Sequence, residues 1–399
     1  AAPASFAETA VSKHPWGKYL AVDGHPDTGS FAEVVSTRLK RKPPWDQACP
    51  AELSWVVKRM NSGSPHFLRD ACVSNALAPW MGTLVAPAVD VRKSRGKLYV
   101  LMPRGGQSME SWIGGGTGRS LAFARSFTMV EGILVALRDA ASGIQKMHEL
   151  NLMHCDLKPA NILVTARDDD SDRLLRARII DFDFAGFGQH IRQGGTPHWM
   201  PSQDLKSRYC SEDSDLWAFG VILHEVAYGR VPYKLTSTET AAEEVAVFKD
   251  GFSTRVFPPV LRLGLAGAAR DTPERRALLQ RLPGDVMRLL QRLFFIDSIF
   301  APRWKDVVDT LDGLAVAAAA AGAADNAEVG ARVVSVSALL AIDLPEPEPV
   351  LSQSCKHAIR SASRRGRSMW EEVEGRAGQT PKAAVGRCLR LYKPALAPQ

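Results

Sequence analysis

Long apolar runs are the first thing missing from this chain of 399 residues. The longest small-apolar stretch, Leu314 to Ala324, is mostly alanine. A membrane-spanning helix needs about 20 apolar residues, so this stretch is too short and too weakly apolar to cross a bilayer. Cysteine is sparse: Cys49, Cys72, Cys155, Cys210, Cys355 and Cys388 show none of the paired spacing of metal ligands, which argues against a zinc site. Their even number permits disulfides without specifying them. No internal repeat is apparent, which argues against a solenoid. Net charge is also lacking over most of the chain. The excess of +7 resides in residues 351–399, which hold 10 Lys/Arg against 3 Glu, leaving 40 of each sign elsewhere. The body therefore has no global basic field, and no nucleic-acid partner is expected. The basic end reads as a solvated tail, or as a contact for an acidic partner or anionic membrane surface. Ala1 in place of an initiator Met leaves a secretory and a cytoplasmic location both open.

What is present is enough for one large or two modest domains, since 45% of residues are hydrophobic. Residues 126–149 carry Val130, Ile133, Leu134, Leu137, Ala141, Ile144 and Met147 at helical spacing. Residues 211–229 predict a largely apolar helix closed by Gly229, and residues 283–311 predict two more. Leu98 to Met102 is a compact β run stopped by Pro103-Arg104-Gly105-Gly106. Asp168 to Asp172 reads as a solvated acidic turn, and Pro345-Glu346-Pro347-Glu348-Pro349 as a stiff extended linker.

The most informative segment is His154-Cys155-Asp156-Leu157-Lys158-Pro159-Ala160-Asn161-Ile162-Leu163-Val164, followed by Ile179-Ile180-Asp181-Phe182-Asp183. It sets a carboxylate, an amine and an amide at fixed spacing, then a second carboxylate at a strand end. These are a base, a phosphate-facing cation and two oxygen donors for magnesium, the parts that phosphoryl transfer requires. The pattern resembles the catalytic and metal-binding loops of eukaryotic-type protein kinases. The form Asp156-Leu157-Lys158-Pro159 is closer to the Ser/Thr than to the Tyr group. Cys155 stands where that family usually has Arg, as in a non-RD kinase.

The resemblance covers roughly residues 15 to 312 and implies an α+β, bilobal protein-kinase-like fold. It would have a lead-in at 1–14, a small β-rich N-lobe at 15–103 and a larger helical C-lobe at 104–312. An Ala-rich and Pro/Glu-rich linker or extra helices at 313–350 and the basic tail at 351–399 would form a C-terminal extension. It further implies a transferase that moves the γ-phosphoryl group of ATP, with Mg2+, to a Ser or Thr hydroxyl of a protein substrate. Asp156 would be the base and Lys158 the cation facing the transferred group. Asn161 and Asp181 would hold magnesium. Lys58, after the β run Trp55-Val56-Val57, would contact the nucleotide phosphates. Gly29 and Val34 would belong to the phosphate-covering loop and Met102 to the back of the nucleotide pocket. Asp215 would bond the backbone of the catalytic loop, and Thr196 would bond Asp156 and Lys158.

Several positions depart from the family pattern. Asp27 and Ala32 replace two glycines of the phosphate loop, and Asp183 replaces another glycine after the metal-binding Asp. Helix 64–77 offers only Asp70 as acidic partner for Lys58, one methylene shorter than the usual Glu, and Ser74 stands at a normally apolar position. These departures support an alternative reading, a pseudokinase used as a binding or allosteric module. No Ser, Thr or Tyr lies between Asp181 and Thr196, and Cys155 removes the Arg that would meet a phosphate there, so phosphorylation within this loop is not expected to be the switch. The broken glycine loop and Ala/Arg-rich composition are also similar to secreted rhoptry-type kinases of apicomplexan parasites. That likeness implies a secretory organelle and disulfides among Cys49, Cys72, Cys210, Cys355 and Cys388. The place of Cys155 in the catalytic loop argues against a structural bridge there.

Overall fold

The computed structural model describes residues 14–28, 32–39, 49, 54–60, 65–114, 120–165, 176–192, 194–254, 272–294, 301–326, 353–362, 367–368 and 380–391. Gly29, the acidic turn 168–172 and the Pro/Glu segment 345–349 lie outside these residues. The chain divides into two compact units, one of residues 1–105 with 344–399, the other of residues 106–343.

The first unit is built on β1 (Leu20–Thr28), β2 (Ala32–Leu39), β3 (Trp55–Met60), helix α1 (Pro65–Met81), β4 (Asp90–Ser94) and β5 (Lys97–Pro103). The strands pair antiparallel, and β3 is interior, between β2 and β5. Alternation along the pleat sorts the residues by face. Trp55, Val57, Tyr99, Leu101 and Val35 join Trp16, Leu20 and Val89 in one buried cluster. Glu33 and Arg59, paired across β2 and β3, form an ion pair at the edge of this face. Beneath it Asp90, fully buried, accepts from Trp16 Nε1 at 3.2 Å and Arg92 Nε at 2.9 Å. Burial raises the Asp90 pKa in spite of the Arg92 charge.

The second unit runs through β6 (Gln107–Ser108), α2 (Met109–Gly114), α3 (Phe127–Glu149), β7 (Leu152–Met153), β8 (Ile162–Thr165), β9 (Arg176–Ile179), β10 (Gly186–Phe187) and β11 (His190–Ile191). It continues through α4 (Ser202–Ser207), β12 (Tyr209–Cys210), α5 (Glu212–Tyr228), α6 (Ala241–Thr254), α7 (Pro273–Phe294) and α8 (Trp304–Asn326). Helix α3 begins where the pattern places it: the Ser126 hydroxyl accepts from Met129 N at 3.1 Å. All seven of its periodic apolar residues are buried. Ser211 and Ser214 form a reciprocal cap on α5, and Gly229 closes it at φ 69°, a left-handed conformation suited to glycine. Helix α8 continues past the boundary expected at residue 312, through the alanine-rich stretch. Val307, Leu311, Leu314, Ala318 and Ala321 are buried on one stripe, where small side chains let α8 lie close along α3.

The C-terminal segment differs most from expectation. Rather than a solvated basic tail, its described residues form α9 (Gln353–Ala362), β13 (Arg367–Ser368) and α10 (Pro381–Leu391), and all belong to the first unit. Strand β13 extends the sheet to six strands by pairing with β4. Cys355 and Ile359, one helical turn apart, enter the sheet's core, and Cys355 is bonded to Cys49. Arg360 is used internally: its Nε donates to Val89 O at 3.2 Å, and its carbonyl accepts from Arg92. The charge count conceals this because the apolar stripe of each helix is only two or three residues wide.

A disulfide that joins distant parts of a chain stabilises mainly by limiting the unfolded ensemble. Replacing Cys49 and Cys355 together by Ser should lower unfolding stability by about 2–4 kcal/mol in a denaturant titration. A midpoint unchanged from the parent protein would contradict that role.

Candidate functional site

On the first unit the expected residues share one face of the sheet. Val34 lies opposite Lys58, which lies opposite Val100, and Val56 lies opposite Met102. Directly paired residues point to the same side, and residues two apart on a strand do likewise. Val34, Val56, Lys58 and Met102 therefore line the face opposite the buried core cluster, and all four are half-buried. Helix α1 supplies the partner that sequence left uncertain: Lys58 Nζ meets Asp70 Oδ2 at 2.9 Å. Ser74 is tolerated inside the same helix because its hydroxyl donates to Ala71 O at 3.1 Å, so the buried hydroxyl is met.

On the second unit the catalytic-loop pattern closes into a hydrogen-bonded set. Thr196 Oγ1 donates to Asp156 Oδ1 at 2.9 Å, and Lys158 Nζ donates to Asp156 Oδ2 at 2.7 Å and to Thr196 Oγ1 at 2.8 Å. Asn161 Nδ2 donates to Asp156 O at 2.8 Å and Oδ2 at 3.2 Å. Three donors thus fix the carboxylate in orientation. Asp181 follows β9, whose Ile179 pairs with Ile162, and Ile180 N donates to Asn161 O at 3.0 Å. Asn161 and Asp181 are in this way carried on neighbouring strand ends. Asp181 has φ 69° and Cys155 φ 66°, left-handed turns that are rare for residues with a side chain and that mark functional loops. Asp183 is buried.

This loop hangs from Asp215. Its two oxygens accept from His154 N at 2.8 Å and Cys155 N at 2.9 Å, and Oδ2 is also 2.8 Å from His148 Nε2. Burial alone would raise the Asp215 pKa, but His148 and the backbone donor hold it below the usual carboxylate value. His148 is the converse case. Burial opposes its charged form, yet Asp215 and Glu212 outweigh burial and raise its pKa to about 9. His148 was not singled out from sequence; its signal is only its place at the C-terminal end of α3, where a cation is also favoured by the helix dipole.

The argument against a bridge at Cys155 is overturned: Cys155 is joined to Cys210, with Cα atoms 5.8 Å apart. The turn at Cys155 directs its side chain into an apolar cluster with Met153, Cys210 and Phe184. That disposition could not be read from spacing, because Cys210 reaches the loop only through the pairing of β11 with β12. Arg192 was also missed. It is buried, donates to Cys155 O at 2.9 Å and meets Asp204 at 3.2 Å. Burial raises Asp204 to a pKa of about 6, with Ser214 and Arg192 pulling it down. Together the disulfide and Arg192 hold the segment after Asp181 against the catalytic loop.

The β-rich first unit, the helical second unit and these loops fit an α+β protein-kinase fold. Residues 119–262 match the protein kinase domain. The chain is 31% identical to the serine/threonine-protein kinase ULK3 of Rattus norvegicus over 194 residues, 47% of this chain and 36% of that protein. It is 32% identical to ULK3 of Homo sapiens over 180 residues, 43% of this chain and 33% of that protein. It is 26% identical to the serine/threonine-protein kinase PKH2 of Candida albicans (strain SC5314 / ATCC MYA-2876) over 170 residues, 39% of this chain and 16% of that protein. The chain spans about a third of the length of these ULK3 proteins. These matches are all to eukaryotic-type protein kinases, and the chain is similar to that superfamily over these residues. Among the described residues no helix is long and apolar enough to cross a membrane.

The His148–Asp215 pair predicts a pH dependence. A histidine whose pKa rises from 6.5 to about 9 on folding contributes stability that is fully present below 6.5 and lost as pH rises through 9. The loss should be no more than about 3 kcal/mol in denaturant titrations across that range, and His148→Gln should flatten the slope. An equally steep slope in the variant would assign the dependence to another group.

Proposed function

We propose that this chain is a protein Ser/Thr kinase that transfers the γ-phosphoryl group of ATP to a hydroxyl of a protein substrate. Asp156 accepts or orients the hydroxyl proton as the substrate oxygen attacks the γ-phosphorus. The bond from that phosphorus to the β–γ bridging oxygen breaks, ADP leaves, and Lys158 offsets charge on the group in transit. The set of three donors around Asp156 supports this reading most directly, because a base must be held in orientation to act on a bound hydroxyl.

The residues present suit magnesium. Asn161 spends its amide nitrogen on Asp156, which leaves its oxygen as the donor for a cation, and Asp181 adds a carboxylate. When bound, the ion would neutralise charge on the nucleotide phosphates. Lys58 would contact the phosphates, with Gly29 and Val34 in the covering loop and Met102 behind the adenine. The buried carboxylate of Asp183 favours a second reading, a kinase fold serving as a binding module.

We further infer that the activation segment is not switched by phosphorylation. The segment 182–195 offers no hydroxyl. Cys155, at the position where the family's Arg would meet a loop phosphate, is bonded to Cys210, and Arg192 of the segment donates to Cys155 O, which supports this reading. Six paired cysteines also favour an oxidising compartment.

Radiolabel from the γ-position of ATP should appear on an acceptor protein, and Asp156→Ala should reduce the rate by at least about 100-fold. Phosphatase treatment of the enzyme beforehand should leave the rate unchanged. No transfer by the parent protein, together with no thermal stabilisation by ATP and magnesium, would establish the binding-module reading instead. Inactivation by phosphatase would reject a phosphate-independent activation segment.

A further inference from the structure

Helix α1 is gripped from two sides. On one, Asp70 reaches Lys58 of β3 at 2.9 Å. On the other, Cys72 is bonded to Cys388 of α10, with Cα atoms 5.6 Å apart. Two residues along a helix turn the side chain by about 200°, so the ion pair and the disulfide occupy nearly opposite faces of α1. Helix α10 packs along α1 and presents Ala384, Val385 and Cys388, all buried, on one of its own faces. The disulfide joins positions 316 residues apart, so nothing local to α1 requires it.

The length of Asp70 gives this arrangement a purpose. A carboxylate one methylene shorter than that of Glu draws back by about 1.5 Å, the length of one carbon–carbon bond. An ion pair with Lys58 then forms only if α1 is held correspondingly nearer to β3. We propose that α10 is a positioning element for the phosphate-contacting lysine: through Cys388 and Val385 it presses α1 toward β3 and keeps Asp70 within reach of Lys58. Cys72, Cys388 and Val385 are positioning residues, since they act through Asp70 and touch no substrate. The inference rests on the role proposed for Lys58, but the placement of α1 can be measured without any phosphoryl transfer.

The experiment uses the full chain with Cys72→Ser/Cys388→Ser and, as a control, Cys49→Ser/Cys355→Ser, which removes the other disulfide of the same unit. Amide hydrogen exchange over residues 65–81, and acylation of Lys58 by an N-hydroxysuccinimide ester, should each accelerate about tenfold more in the first variant than in the control when the two are compared at matched unfolding stability. The KM for ATP should rise more than kcat falls. Adding Asp70→Glu to the first variant should restore both Lys58 protection and the KM, because the longer side chain spans the gap. Val385→Ala, which keeps the disulfide and so guards against misfolding of the double variant, should shift the same readouts in the same direction by a smaller factor. Parent-like exchange and Lys58 reactivity in the first variant, or equal changes in the control, would overturn the proposal. Failure of Asp70→Glu to protect Lys58 would overturn it as well. If the parent protein transfers no phosphate, the enzymatic reading falls, and exchange and acylation still decide whether α10 positions α1.

Discussion

One buried carboxylate organises the second unit. Asp215 sits at the start of the apolar helix α5 and takes two backbone N–H groups of the catalytic loop together with the ring of His148. A fully buried charge is costly unless it is met, and here it is met by exactly those groups whose positions the loop needs fixed. Helix α5 is itself clamped by its serine cap, by Gly229 and by aromatic contacts of Trp217 with Phe248 and Phe294. The rigidity of the helical core therefore passes to the loop through a single side chain. Asp156, its lysine, its asparagine and Thr196 then have a fixed frame in which to form their bonds.

Covalent bonds take the place of reversible ones at two points in this chain. In the second unit, Cys155 and Cys210 tie the catalytic loop to β12, while Arg192, just past the partner strand β11, bonds the carbonyl of the same loop. In the first, the C-terminal segment returns to the β-sheet, adds a strand, fills its core with Cys355 and Ile359, and is bonded to Cys49 and Cys72. A small sheet with one helix buries little apolar surface alone. The returning segment enlarges that core and restricts the unfolded chain, so it is as much a part of the unit as the strands that precede it.

The secondary structure was legible where periodicity and punctuation agree. Helix α3 begins at the residue after Ser126 and carries each of its seven periodic apolar residues inward, and α5 ends at Gly229, because capping and burial both depend on residues near in sequence. The grouping of Asp156, Lys158 and Asn161 was legible for the same reason, since one tight turn holds them. Thr196, forty residues from Asp156, was readable only through the likeness to a family. His148, Arg192 and Asp204 escaped notice because a single charged residue in a sequence does not reveal which distant group will meet it.

By itself, then, the amino-acid order determined helices such as α3 and α5, the β run at 98–102 and the close grouping of Asp156, Lys158 and Asn161. Those rest on side-chain period, caps and turns acting over a few residues. Only the tertiary structure decided that Asp70 would meet Lys58, that Cys155 would be paired, and that the basic C-terminal residues would become part of the β unit. Each of these depends on contacts between segments far apart along the chain, whose geometry is set by the packing of whole elements and leaves no spacing in the sequence from which it could be read.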